Sequence, residues 1–69
     1  PRLGMLELRT ADSEGDVAAF YRARLAELGW NFEGEQGFYS AEKEGQRITL
    51  TILSDEVTDE TVVRVFAAN

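Results

Sequence analysis

The chain has no cysteine and no histidine, and only one proline, at position 1. Without cysteine there is no disulfide to staple the fold and no thiolate metal site. Without histidine, the usual acid/base of neutral pH is gone. Ser-His and Cys-His nucleophiles and most zinc and copper sites go with it. No apolar run exceeds a few residues, so no segment is long enough to span a bilayer as a helix, and no signal peptide is evident. Positive charge is also scarce: seven basic residues stand against thirteen acidic ones, a net charge of −6. The basic residues Arg2, Arg9, Arg22, Arg24, Lys43, Arg47 and Arg64 are scattered. They leave no nucleic-acid footprint, and the negative balance disfavours anionic membrane surfaces. The charge serves solubility.

What is present suits one small domain, residues 1–69. A chain of this size buries only about 60% of its unfolded surface, so its core is thin. Stability must come from the 43% of apolar residues or from association. The chain opens on Pro1 rather than Met and stops at Ala67-Ala68-Asn69, directly after a strand-like segment. The expectation is a processed or trimmed piece of a longer protein.

One helix organises the pattern, over about residues 13–28. Ser13 is its N-cap, with Asp16 three residues on. Asp12, Glu14 and Asp16 place negative charge at the positive end of the helix dipole, which accounts for three acids in five residues without a metal. Val17, Tyr21, Leu25 and Leu28 fall on one stripe, with Phe20 on its flank. Gly29 suits a left-handed C′ position, and Trp30 as C″ packs back on Leu25. Arg24 falls inside the apolar stripe. Snorkelling along the sheet explains it; an anionic ligand is the alternative.

The rest alternates as strands. Leu3 to Thr10 sets Gly4, Leu6 and Leu8 on one face and Leu3, Met5, Glu7 and Arg9 on the other. Trp30–Glu33 is a short strand, and Gly34-Glu35-Gln36-Gly37 a turn. Phe38–Lys43 follows, then a Glu44-Gly45 hairpin turn. Arg47–Leu53 carries Ile48, Leu50 and Ile52 on one face, and Thr61–Ala67 is the last strand. Ser54 to Glu60 reads as an acidic loop. The order is β-α-β-β-β-β: an α+β domain with one amphipathic helix on a mostly antiparallel sheet of four or five strands. The first strand is expected at an edge, not paired with the strand after the helix.

No constellation carries catalysis. Asp55, Glu56, Asp59 and Glu60 offer calcium-like oxygens, but they lack the alternating ligands and central glycine of an EF-hand. Gly34 and Gly37 lie in a hairpin and form no phosphate loop. The feature of most interest is the sheet face away from the helix. Leu3, Met5, Leu53, Val62 and Phe66 point there, where a one-sided sheet should read polar. Such a patch marks a protein interface.

The run Phe20-Tyr21-Arg22-Ala23-Arg24-Leu25-Ala26-Glu27-Leu28-Gly29-Trp30 resembles the F-Y-x-x-x-L-x-x-x-G-W helix of small modules in bacterial envelope and secreted proteins, where a strand meander follows. The match covers about a quarter of the chain. The resemblance implies a bacterial, extracytoplasmic, non-enzymatic domain and transfers no site residue. The reading is therefore a non-catalytic interaction or assembly module without cofactor or metal. Its partner is a protein or a second copy, met through the helix-free face or an edge strand; nucleic acid and membrane insertion are not expected. The alternative is a small-ligand or ion-binding domain using Arg24 or the Asp55–Glu60 loop.

Overall fold

A computed structural model of the chain describes the backbone of residues 3–68 and the side chains of residues 4–67. The elements run β1 (Leu3–Thr10), α1 (Glu14–Glu27), β2 (Asn31–Glu35), β3 (Phe38–Lys43), β4 (Gln46–Asp55) and β5 (Glu60–Ala68). This is the α+β order read from the pattern. All five strands form one antiparallel sheet in the order β1-β5-β4-β3-β2. The meander from β2 to β5 is local, and β1 closes on β5. The helix therefore carries the chain from one edge of the sheet to the other.

The ends of the helix follow its sequence. Ser13 caps the start, its hydroxyl accepting from the Asp16 amide at 3.1 Å. At the other end the Trp30 amide bonds the Leu25 carbonyl at 2.9 Å, and the Gly29 amide bonds that of Ala26 at 3.1 Å. With Gly29 at φ 88° this is a Schellman ending. Lys43 donates from Nζ to the Leu28 carbonyl at 2.6 Å, placing a cation at the negative end of the helix.

Two ties fix the helix start to the sheet. Glu14 accepts from the amide and hydroxyl of Ser54. Buried Thr61 donates from Oγ1 to the Asp12 carbonyl at 2.6 Å. The core lies between: Val17 packs with Ile52 and Val63, flanked by Ala18, Tyr21, Tyr39 and Val65. Phe32 stacks on Tyr39 with centroids 5.2 Å apart, and the Arg22 guanidinium lies over the Phe32 ring, 5.2 Å from its centroid.

Three sequence expectations are corrected. Gly34 and Glu35 belong to β2, so the first hairpin turn shrinks to Gln36-Gly37, both at positive φ. That is the two-residue form favoured by strand twist. The acidic loop shrinks likewise to residues 56–59. Ser54 and Asp55 pair with Thr61 and Glu60 in the sheet, because Asp55 Oδ1 accepts from the Val57 and Thr58 amides and closes the turn tightly. Arg24 does not lie along the sheet. It is exposed and pairs with Glu27 at 3.4 Å, because the buried side of the helix turns toward Val17, Ala18, Tyr21 and Leu25.

Candidate functional site

Five strands at about 4.8 Å spacing make a sheet roughly 20 Å wide, whereas one helix with its side chains covers about 10 Å. The helix packs over β2 and β4. The inner face of β1 and part of that of β5 are left open beside it. Leu6 and Leu8 point to the helix side, opposite Val65 and Val63, yet they are 55% and 43% exposed. Phe20, on the flank of the helix, is 61% exposed.

Leu8 and Phe20 bound an open groove of about 550 Å³. Its walls are Leu8, Val17, Phe20, Tyr21 and Val63, and Thr10, Asp12 and Asp16 lie at the helix N-terminal end. Phe20 and Tyr21 meet edge to face, with centroids 5.3 Å apart and planes at 85°. Thr10 Oγ1 donates to Asp12 Oδ2 at 3.1 Å and accepts from the Asp12 amide at 3.2 Å, which orients that carboxylate.

Arg9 also borders the groove, but its guanidinium is committed on the opposite face. It donates to Asp55 at 3.0 Å and reaches Glu60 at 3.5 Å and Glu7 at 3.7 Å. Glu7 in turn accepts from Arg64 at 2.9 Å. The bond from Arg9, with those from the Val57 and Thr58 amides, holds the Asp55 carboxyl below its ordinary pKa, and the Asp55 bond raises that of Arg9.

The helix-free face is mixed. Met5 stands opposite Phe66, and they are 63% and 41% exposed. Leu53 stands opposite Val62, with Phe38 on the diagonal. Val62 is nonetheless buried, beside Arg9 and Arg64. Glu7, Arg64 and Thr51 form the row between Met5–Phe66 and Leu53–Val62, so the patch is broken. The Leu3 side chain lies outside the described residues. Arg24 and the Asp55–Glu60 stretch are not brought together, and among the described residues no three acidic side chains gather as a metal site. No helix of the described residues is long and apolar enough to cross a membrane.

A family model described as START domain-like matches residues 2–61. The chain belongs to the START domain-like family. No curated protein and no solved structure matches the chain. The match covers β1 through the start of β5, so the START domain-like region contains the helix, strands β2 to β4 and every wall of the groove except Val63. Sequence reasoning missed this groove. The signal was available in the strand count, since one helix cannot cover five strands.

Proposed function

We propose that this START domain-like domain is a non-catalytic binder of small molecules with an apolar body, held in the groove between α1 and β1. The observation that carries the reading is the groove itself. Its volume lies within the range of about 300–1,000 Å³ usual for ligand pockets, and its walls are apolar and aromatic with polar groups at one end. Exposing Leu8 of the sheet and Phe20 of the helix to water costs free energy, and an apolar guest recovers part of it. The family assignment supports a small-ligand-binding fold. The resemblance to bacterial envelope modules is part of the same proposal, and an extracytoplasmic setting is what it implies.

A second reading has its own observation: Met5 and Phe66 are exposed neighbours on the helix-free face. There the domain would associate with a second copy. One titration separates the two. Phenylnaphthylamine, a neutral apolar fluorophore, brightens when it leaves water. Its emission should rise with the wild-type protein, be lost in Leu8→Trp, which fills the groove, and persist in Phe66→Ala. Loss in Phe66→Ala with retention in Leu8→Trp refutes the groove reading. Sedimentation of the same proteins reports whether Phe66→Ala shifts a dimer to monomer.

A further inference from the structure

The groove is not electrically neutral. Its helix N-terminal end holds the carboxylates of Asp12 and Asp16. Among the described residues neither is paired with a basic side chain. The nearby cation, Arg9, is surrounded by Asp55, Glu60 and Glu7 on the far face and contributes little positive field to the groove. Glu14 is turned away, to Ser54. The helix N-terminus adds roughly half a positive charge, which offsets only part of the two carboxylates. Beside them stand Phe20 and Tyr21, set at right angles. Two rings so disposed offer a π face and an edge within one corner, and a π face attracts cations.

Resting on the groove reading above, we infer that the preferred ligand carries an organic ammonium group on its apolar body. The ammonium lies between Asp12, Asp16 and the Phe20–Tyr21 corner, and the apolar part runs over Leu8 and Val63. An anionic ligand is disfavoured in the same place, since it would meet two carboxylates without a cation free to receive it. The small-molecule alternative based on Arg24 predicts the opposite preference.

Three probes with one naphthyl body and different heads decide it: naphthylmethyl-trimethylammonium, naphthylmethanol and naphthylacetate. Binding is followed by NMR on the methyl groups of Leu8 and Val63. The ammonium probe should bind about tenfold more tightly than the alcohol, from cation–π attraction and two partly screened carboxylates, and the acetate more weakly than the alcohol. Asp12→Asn combined with Asp16→Asn should bring the ammonium probe to the level of the alcohol. Glu44→Gln, in the β3–β4 turn next to Lys43 at the helix C-terminal end, should leave the preference intact. On the unaltered protein, added salt should erode the binding of the ammonium probe but not that of the alcohol. Equal binding of ammonium and alcohol, or a preference that survives the double substitution and high salt, overturns the inference and leaves the groove reading standing. If no probe shifts the Leu8 and Val63 methyl groups, the groove reading falls, and this inference with it.

Discussion

If the groove is open in solution, truncating its wall must cost far less than truncating the core beneath it. The comparison is Leu8→Ala against Ile52→Ala. Ile52 lies on β4, 1% exposed, packed between Val17 and Val63. Its truncation leaves a cavity that neighbouring strands cannot collapse into, at a cost of about 2–5 kcal/mol. Leu8 is on the edge strand and keeps 43% of its surface in water. Full burial of a leucine is worth about 1.5–3 kcal/mol, so this partial burial is worth about 1. For 69 residues, total stability at roughly 0.05–0.15 kcal/mol per residue is about 3.5–10 kcal/mol. Ile52→Ala should therefore remove about a fifth of it at the least and more than half in the middle of the range, and Leu8→Ala a smaller fraction. Urea unfolding followed by Trp30 fluorescence and far-UV circular dichroism measures both, with unchanged slopes confirming a common reference state. If Leu8→Ala costs as much as Ile52→Ala, Leu8 is covered in solution. A loss that grows with protein concentration would identify the cover as a second copy, and the small-molecule reading would fail.

Other expectations concern the parts that hold the groove in shape. Ser13→Ala removes the acceptor for the Asp16 amide and should cost about 1 kcal/mol in thermal unfolding. Gly34 sits at φ 121°, and a Cβ there would strike the Phe38 carbonyl and the Tyr39 backbone. Gly34→Ala should disrupt the β2–β3 hairpin, while Gly4→Ala, with open space around its Cβ, should leave the melting temperature close to wild type. Asp55 has its pKa lowered in the fold, first by the bond from Arg9. The stability it contributes is full above the unfolded carboxylate value of about 3.9 and is lost as pH falls through the lower folded value. Asp55→Asn, which retains an acceptor for the turn amides, should therefore destabilise the protein at neutral pH and flatten the acid limb of its stability curve below about pH 4.

Much of the local structure was legible because its causes are local. Ser13, Gly29 and Trp30 specify both ends of α1 through backbone hydrogen bonds within a few residues. Alternation set Leu50 and Ile52 on one face and Thr49 and Thr51 on the other, since the side-chain period of a strand is two. The turn at Gln36-Gly37 was drawn too wide, because a glycine at position 34 looks like a turn residue. In the sheet it meets the backbone of β3, where no side chain fits.

The sequence by itself determined the elements, their order, the net negative charge and the lack of thiol and imidazole groups. These depend on residue type and on spacings of a few residues. Only the tertiary structure decided where the helix rests. Periodicity says which side of α1 is apolar, but not which strands it covers. That depends on the ties from Glu14 to Ser54 and from Thr61 to the Asp12 carbonyl, partners 40 and 49 residues apart. Those ties fasten the start of the helix to the sheet, and its packing over β2 and β4 leaves the inner face of β1 open. Phe20 and Leu8 thereby become walls of a groove instead of members of a core.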